Sequence, residues 1–225
     1  MEYKCYNGDC LELMKEIPDG SVDMIATDPP YCVGATSNGT KASFTDFNLM
    51  RPFWEQCFGE WQRVLKGGGH VYCMTDWRTY PFLYPIMIRY LRIRNLIVWD
   101  YGWIKAGNFY RPTYELIIFA TNGDSKCEFS RKEADVWRGI RCVNYTVSVR
   151  RHQAEKPVGL MEKMILNSLK EDDTVLDPFM GSGTTGVACV NLNRRFIGFE
   201  LDEKFFKTAE QRIEEAQAKK AQELF

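Results

Sequence analysis

The segment TVLDPFMGSGTTG spans residues 174–186. Its first three residues form an apolar run typical of a buried strand, and residues 185–192 continue with the pattern of a helix. The glycines between them tolerate positive φ and allow a ligand to approach the backbone closely. A strand that passes through a glycine-rich turn into a helix is typical of a cofactor loop in an open α/β sheet. We therefore expect a cofactor to bind at this turn.

A second apolar run, at residues 22–26, leads into the segment TDPPY at residues 27–31. An acid, two rigid prolines and an aromatic ring thus follow a buried strand. The carboxyl ends of parallel strands lie at one edge of a sheet, where open α/β folds bind their ligands. The turn at Asp28 and the turn at Gly181 should therefore meet there, although they are far apart in the sequence.

The rest of the chain alternates between strand and helix patterns. The glycine triplet at residues 67–69 is interpreted as a turn that ends a helix, and residues 32–45 as a loop. The alternation predicts a single α/β domain over residues 1–225, with a doubly wound, mostly parallel sheet and a small insertion at residues 121–155. Strands are predicted at residues 4–6, 22–26, 70–74, 95–100, 114–120, 174–176 and 195–199, and helices at 10–17, 49–65, 79–92, 157–169, 185–192 and 203–225.

Composition limits the class of protein. A chain of 225 residues with 45% hydrophobic residues can bury one substantial core. No apolar run approaches the roughly 20 residues that span a bilayer, and the first residues lack the apolar centre of a signal peptide, so we expect a cytoplasmic protein without membrane association. The eight cysteines include no CxxC pair and are expected to be reduced packing residues. His70 and His152 are too isolated to build a metal site, so no metal is expected.

The net charge is −1, but it is distributed unevenly. Residues 126–151 hold seven basic and three acidic side chains, which gives this segment a charge of +4 and the rest of the chain −5. Because basic side chains bind phosphates, the segment is a candidate surface for a nucleic-acid backbone. A solvated loop without a partner is the alternative. The candidate DNA-binding residues are Arg131, Lys132, Arg138, Arg141, Arg150 and Arg151.

Five motifs of the chain resemble those of DNA amino-methyltransferases that use S-adenosylmethionine, in the group whose DPPY motif precedes its glycine-rich motif. They are Asn7-Gly8-Asp9-Cys10, DPPY, Lys156-Pro157, the glycine-rich segment and Gly198-Phe199-Glu200-Leu201-Asp202. The similarity covers most of the chain, and the five motifs in this order are more specific than DPPY alone. It implies a Rossmann-like methyltransferase sheet that is circularly rearranged, with its cofactor strand late in the chain, and a target-recognition region between residues 121 and 155.

This resemblance implies that Asp28, Pro29, Pro30 and Tyr31 are catalytic. An exocyclic amino group of adenine or cytosine is a poor nucleophile because its lone pair is delocalised into the ring. The Asp28 carboxylate and the Pro29 carbonyl would each accept an N–H bond from this group and direct its lone pair at the methyl donor, while the prolines keep the turn rigid. Tyr31 would stack on the target base, which must be flipped out of the duplex.

The resemblance also implies a binding site for S-adenosylmethionine. The methionine part would be surrounded by Asp177, Gly181, Gly183, Thr184 and Thr185. Glu200 would bond the ribose hydroxyls, and Asp9 and Cys10 would lie at the adenine. Lys156 and Pro157 would lead into the helix that covers the methionine end. Neighbouring residues of the same motifs complete the candidate set, namely Pro178, Phe179, Ser182 and Leu201.

Several alternatives stay open. Aspartate at position 28 favours adenine N6, because cytosine-N4 enzymes of this group more often carry serine there, but cytosine-N4 and RNA adenine methylation are alternatives. Glycines at 181, 183 and 186 with Glu200 also fit the fingerprint of a nicotinamide oxidoreductase, which would leave DPPY without a role. A phosphate-binding NTPase loop is excluded because no GK[ST] follows the glycines. A non-catalytic DNA-binding module is the last alternative, and intact Asp28 and Glu200 weigh against it. Double-stranded DNA is the expected partner. A second copy of the chain, as a homodimer, and a cognate restriction enzyme are further candidates.

Overall fold

The computed structural model describes residues 2–30, 36–37, 40–41, 47–104, 109–125, 133–140 and 156–222. Each predicted strand and helix is present, with bounds that differ by a few residues. The strands are β1 (Tyr3–Asn7), β2 (Val22–Thr27), β3 (Thr36–Ser37), β4 (Thr40–Lys41), β5 (Leu65–Thr75), β6 (Arg92–Asp100), β7 (Tyr114–Thr121), β8 (Val136–Trp137), β9 (Thr174–Asp177) and β10 (Arg195–Glu200). The helices are α1 (Cys10–Met14), α2 (Phe47–Val64), α3 (Tyr80–Met87), α4 (Val158–Leu166), α5 (Thr184–Asn191) and α6 (Glu203–Gln222).

Eight strands form one sheet in the order β1-β10-β9-β2-β5-β7-β6-β8. Strand β7 runs antiparallel to β5 and β6, and the other neighbouring pairs of this sheet are parallel. Strands β3 and β4 pair separately as a short antiparallel ribbon. The expected circular rearrangement of the sheet is not tested by this order and stays a prediction.

Helices cover both faces of the sheet. Because successive side chains of a strand point to opposite faces, Ile25 of β2 packs in a core with side chains of α1, α2 and α3. Its neighbours Met24 and Ala26 pack in a second core with α4, α5 and α6. Burial on both faces explains why the parallel strands are continuous apolar runs in the sequence. The predicted doubly wound, mostly parallel α/β fold is confirmed.

The glycine triplet at residues 67–69 is not a turn. Helix α2 ends at Val64 and strand β5 begins at the next residue, so the triplet lies within the strand. Gly68 has a φ of +82° and donates its N–H to the Asn122 carbonyl at 2.7 Å. A Cβ on Gly69 would lie 3.0 Å from the Asp23 carbonyl oxygen, next to a shift in register between β2 and β5. The prediction was wrong because these glycines serve a strand irregularity with close backbone approach.

Two segments that the sequence does not assign to strands contain short ones. The ribbon of β3 and β4 lies within residues 32–45, which were expected to form a loop. Strand β8 lies within the insertion and extends the main sheet by pairing with β6. Its Trp137 is buried, and the Trp99 ring of β6 donates its N–H to the Ile140 carbonyl at 3.1 Å. Residues 133–140 therefore pack on the edge of the sheet.

Within the part of the chain that the structure describes, no helix is long and apolar enough to cross a membrane. The five described cysteines, which form no disulfide, are Cys5, Cys10, Cys57, Cys73 and Cys189. All of them except Cys5 are buried. Burial raises the pKa of the Cys5 thiol to about 12, which leaves it protonated and suits a packing role.

Candidate active site

One edge of the sheet holds the carboxyl ends of β1, β2, β9 and β10, because these strands are parallel. Strand β7 runs in the opposite direction, so its first residues, Tyr114 and Glu115, lie at the same edge. A cavity of about 700 Å³ opens there, within the roughly 300–1,000 Å³ of small-molecule sites. The predicted turns at Asp28 and Gly181 meet in it. Its lining residues are Gly8, Asp9, Cys10, Asp28, Pro29, Pro30, Phe53, Lys156, Pro178, Phe179, Gly181, Glu200, Leu201, Asp202 and Phe205.

Glu200, at the end of β10, is held rigidly at this cavity. One carboxylate oxygen accepts the N–H of Gly181 at 2.9 Å, and the other accepts the N–H of Asp202 at 2.8 Å. The Asn7 side chain donates to the Glu200 carbonyl at 2.8 Å, so the end of β1 is tied to the end of β10. The carboxylate is thus oriented before any ligand binds, which reduces the ordering cost of recognising a pair of hydroxyls.

Asp9 and Cys10 lie at the start of α1 and line the same cavity as Glu200. The Asp9 carboxylate accepts the N–H groups of Leu11 at 2.8 Å and Glu12 at 3.4 Å, so it is the N-cap of this helix. Cys10 is buried, whereas Asp9 is exposed. The structure therefore brings both residues to the cavity with Glu200, as the sequence predicts, and gives Asp9 a structural role as well.

Asp177, at the end of β9, is buried and does not line the cavity. Its carboxylate accepts the hydroxyls of Thr27 at 2.7 Å and Thr185 at 2.6 Å and the N–H of Phe179 at 3.1 Å. Burial raises the pKa of Asp177 to about 6, although these three hydrogen bonds act in the opposite direction. The carboxylate therefore fastens β2, β9 and α5 to one another. Its predicted contact with the methionine ammonium stays a prediction.

The glycines of the glycine-rich segment serve two purposes. Gly181 lines the cavity with a φ of +53°, and a Cβ there would meet nothing within 4 Å. In contrast, a Cβ on Gly183, whose φ is +80°, would lie 2.8 Å from the Cβ of Ala209, and one on Gly186 would lie 2.4 Å from Ile213. Both neighbours belong to α6. Gly183 and Gly186 therefore allow α6 to pack against the start of α5, and only Gly181 leaves backbone open to a ligand.

Ser182 and Thr184 face a residue that the sequence analysis did not identify. Arg212 of α6 donates to the Ser182 carbonyl at 2.6 Å, to the Ser182 hydroxyl at 2.8 Å and to the Thr184 hydroxyl at 3.3 Å. Neither residue lines the cavity. The guanidinium thus supports the turn from the side of α6, and the predicted cofactor contacts of Ser182 and Thr184 stay predictions.

At the other end of the cavity, Lys156 lies between two carboxylates. Its ammonium is 2.6 Å from an Asp28 oxygen and 3.1 Å from a Glu115 oxygen. The exposed fractions of the side chains are 9% for Lys156, 20% for Asp28 and 11% for Glu115. Lys156, expected at the cofactor, thus contacts Asp28, which is predicted to be catalytic, while lining the same cavity. Pro157 follows it as the buried N-cap residue of α4.

The sequence analysis missed Glu115. A single charged residue near the start of the apolar strand at residues 114–120 indicates a candidate functional residue. Whether it lies at the edge with the site depends on the direction of β7, which the sequence does not give. Burial by itself lowers the pKa of Lys156, and the charges and hydrogen bonds of Asp28 and Glu115 outweigh this effect and raise it. The lysine therefore stays protonated at neutral pH.

Apolar side chains complete the cavity. Phe53 of α2 and Phe205 of α6, which the sequence did not single out, line it together with the predicted Pro178, Phe179 and Leu201. The rings of Phe53 and Phe179 are 6.3 Å apart and inclined by 60°. Pro29 and Pro30 line the cavity beside Asp28, and Tyr31 lies outside the described residues. The site thus combines flat apolar walls with oriented carboxylates.

The predicted DNA-binding set is described at one position. Arg138 is 73% exposed, and its guanidinium lies 3.4 Å from the carboxylate of Asp100 at the end of β6. The other candidates lie outside the described residues, namely Arg131, Lys132, Arg141, Arg150 and Arg151. Across the described ranges, no group of three or more His, Cys, Asp or Glu side chains could hold a metal ion.

The chain that forms this cavity is similar to known proteins. The family model of N6/N4 methyltransferases, described as DNA methylase, matches residues 22–211. The chain is 29% identical over 250 residues to the DNA adenine methyltransferase YhdJ of Escherichia coli strain K12, with 97% of this chain and 85% of YhdJ covered.

Two further proteins are similar. The type II methyltransferase M.BamHI of Bacillus amyloliquefaciens is 32% identical over 231 residues, which cover 88% of this chain and 54% of M.BamHI, so the chain spans about half of that relative. The crystal structure of M1.HpyAVI in complex with SAM superimposes with a TM-score of 0.71 at 25% identity. That alignment covers 94% of this chain and 99% of the other.

Proposed function

The chain belongs to the N6/N4 family of DNA methylases, and on that premise we propose that it is a site-specific DNA adenine-N6 methyltransferase that uses S-adenosylmethionine. One observation carries this proposal. The Asp28 turn and the oriented Glu200 carboxylate line the same cavity, so a methyl donor held by Glu200 would lie beside the group that binds the target base. The similarity to YhdJ, named a DNA adenine methyltransferase, supports adenine as the target.

The charge of the cavity supports the choice of cofactor. Among the described residues that line it, one carries an ammonium group, Lys156, and four carry carboxylates, namely Asp9, Asp28, Glu200 and Asp202. A negative lining repels the pyrophosphate of a nicotinamide dinucleotide and attracts the sulfonium and ammonium of S-adenosylmethionine. The residues present therefore fit this cofactor, and the alternative of a nicotinamide oxidoreductase loses support.

The cofactor would be held by three parts of the cavity. The two oxygens of Glu200, fixed by backbone N–H groups, suit the two ribose hydroxyls. Phe179 and Leu201 offer apolar surface to the adenine ring near Asp9, whose carboxylate can accept a hydrogen bond from an amino group. When bound, S-adenosylmethionine supplies an electrophilic methyl group, whose bond to sulfur breaks with its electrons left on sulfur.

The Asp28 turn would activate the target amino group. The Asp28 carboxylate and the Pro29 carbonyl accept hydrogen bonds from its two N–H groups. The nitrogen lone pair is then less delocalised into the ring and forms the new bond to the methyl carbon. The nitrogen would then lose one proton, which passes to solvent water. The Lys156 ammonium contacts one oxygen of the Asp28 carboxylate at 2.6 Å and so fixes the direction in which that carboxylate faces.

The proposal also covers the DNA substrate and the other partners of the protein. Residues 121–155 would contact double-stranded DNA, which is supported by the exposed Arg138 on the sheet edge and by the basic composition of the segment. The target base would be flipped into the cavity, where Tyr31 stacks on it. We place the protein in the cytoplasm, and the type II name of M.BamHI supports a cognate restriction enzyme as a partner. A homodimer is testable by light scattering.

The test is transfer of labelled methyl groups from S-adenosylmethionine to unmodified double-stranded DNA, followed by mass spectrometry of the nucleosides. We expect the label in N6-methyladenine. Label in N4-methylcytosine would favour the cytosine alternative, label in RNA alone would favour the RNA alternative, and NAD binding without methylation would refute the function. Mapping at base resolution then gives the recognition sequence.

The matched variant is Asp28→Ala. It should bind the cofactor normally, because Asp28 acts on the target base, and lose about 100-fold to 1,000-fold in turnover, the range for removal of one preorganised hydrogen-bonding group. Near-normal methylation by this variant would contradict the mechanism even if the wild-type protein methylates adenine.

A further inference from the structure

Three largely buried charges meet beside the Asp28 turn, and the proposed mechanism uses two of them. Asp28 follows β2, Lys156 precedes α4, and Glu115 is the second residue of β7. Charges taken out of water are costly unless they are paired, and replacing such groups by apolar ones often stabilises a protein. A site that keeps a second carboxylate on Lys156 has therefore not been arranged for stability alone.

The second carboxylate changes what Lys156 can do. With Asp28 as its only partner, a flexible lysine could approach both oxygens of that carboxylate and weaken it as an acceptor. Glu115, at 3.1 Å, draws the ammonium away from Asp28, which Lys156 contacts at 2.6 Å. The three groups together carry a charge of −1. That charge favours the reaction, since positive charge develops on the target nitrogen beside Asp28.

We propose that Glu115 is a positioning residue for methyl transfer, which holds Lys156 between two carboxylates so that Asp28 remains a directed acceptor and the site keeps its net negative charge. The proposal rests on the function proposed above. It predicts that Glu115 affects the rate of transfer and leaves cofactor binding unchanged, because Glu115 contacts Lys156 and is not among the described residues that line the cavity.

Two other ionisable groups of the described residues interact with the charge of Asp28. Burial, with a smaller contribution from the charge of Asp28, raises the pKa of Cys73 on β5, which therefore stays a neutral thiol. Asp177 on β9 feels the Asp28 charge as well, but burial is the main cause of its raised pKa of about 6. Asp177 therefore titrates well below the alkaline range, and Cys73, like Lys156, keeps its proton through the neutral range.

The test is the variant Glu115→Gln, which removes the charge and keeps the shape. In labelled methyl transfer to DNA, kcat should fall about 10-fold to 100-fold, the range found for outer partners that orient a functional group. The dissociation constant for S-adenosylmethionine should stay within about twofold, since uniform binding is not affected. The alkaline fall of kcat should begin at lower pH, because Lys156 loses one of the two carboxylates that raise its pKa.

The variant Glu115→Asp restores the charge on a shorter side chain. In Glu115→Asp the pH at which kcat falls in alkaline solution, called the alkaline limb here, should return toward that of the wild type. A side chain that only fills space would not have this effect. If Glu115→Gln fails to fold, the kcat of Glu115→Asp decides the question, because a positioning role predicts a kcat between those of the wild type and of a protein without this carboxylate, and a packing role predicts an unchanged kcat with lost stability. Asp23→Asn is the control, since Asp23 is similarly buried and its carboxylate lies 2.6 Å from Lys66 at the opposite edge of the sheet.

The outcomes separate this inference from the function on which it rests. If the wild-type protein does not methylate DNA, the proposed function fails. If the wild type methylates DNA and Glu115→Gln has the same kcat and alkaline limb, the role of Glu115 is refuted. Weaker cofactor binding with unchanged kcat would also refute it, and would place the pair of Lys156 and Glu115 in the cofactor site.

Discussion

Asp177→Asn should remove a pH dependence of stability that the wild-type protein carries. The Asp177 carboxyl has a pKa of about 6 in the folded protein, because burial disfavours its charge more than its three hydrogen bonds favour it. In the unfolded chain its pKa is about 3.9. Since the folded state binds the proton more tightly, this group contributes stability that is fully present below about pH 4 and is lost as the pH rises through 6.

The size of the effect follows from the shift. A difference of about two pKa units corresponds to about 3 kcal/mol of unfolding free energy, at about 1.4 kcal/mol per unit. Roughly half of it should appear between pH 5 and pH 8, where denaturant titrations are practical. The other carboxylates titrate in both proteins, so the free energy of the wild type minus that of Asp177→Asn isolates the change. We expect this difference to fall as the pH rises.

Urea denaturation followed by fluorescence at several pH values measures this difference, and calorimetric titration with S-adenosylmethionine is the companion experiment. Cofactor affinity should be nearly unchanged in Asp177→Asn, since the carboxylate is occupied by Thr27, Thr185 and the Phe179 N–H. A pH-independent difference would refute the reasoning about burial. A loss of affinity of tenfold or more would place Asp177 at the methionine, as the family resemblance implies.

Three further variants test other parts of the molecule. Glu200→Ala should weaken the binding of S-adenosylmethionine by about 1.5–3 kcal/mol, the value of a hydrogen bond to a charged group. If calorimetry finds an unchanged affinity, Glu200 does not contact the cofactor. Gly186→Ala should destabilise the fold by about 1–3 kcal/mol in urea, because its Cβ would lie 2.4 Å from Ile213, whereas Gly59→Ala, with 3.6 Å to its nearest neighbour, should be neutral or stabilising. Arg138→Ala should flatten the dependence of log affinity for DNA on log salt by about 0.9, and an unchanged slope would show that Arg138 does not contact phosphate.

The strand ends that form the site were predictable because their signals are local. A strand buried on both faces is a continuous apolar run, and residues 22–26 and 174–176 are runs of this kind that end in a turn. The meeting of Asp28 and Gly181 then follows from parallel strands alone. The glycine triplet at 67–69 misled the prediction, since glycine permits a turn and a strand irregularity equally well.

The partner of Asp28 was not predictable from local signals. Glu115 reaches the site because β7 is antiparallel to both of its neighbours, which brings its amino end to the carboxyl edge of the sheet. The apolar run that follows Glu115 would look the same in a parallel strand, which would carry this residue to the far edge. Lys156 could be placed near the cavity by its motif, but its choice of partner depends on this strand direction.

Three of the carboxylates at this edge of the sheet lie at or next to the ends of β2, β9 and β10, and their surroundings give them different roles. Asp177 is buried, accepts hydrogen bonds from neutral donors and does not line the cavity, so its charged form is costly. Its hydrogen bonds connect β9 with β2 and α5. Asp28 is bound by an ammonium and lines the cavity, so its carboxylate is placed to accept a hydrogen bond from a substrate. Glu200 is bound by backbone N–H groups, which fix its direction and leave it open to hydroxyls. In the sequence each is an acid after an apolar run, and the donors that distinguish them come from up to 150 residues away. A strand-end carboxylate therefore identifies a candidate site, and only the donors that surround it in the fold assign its role.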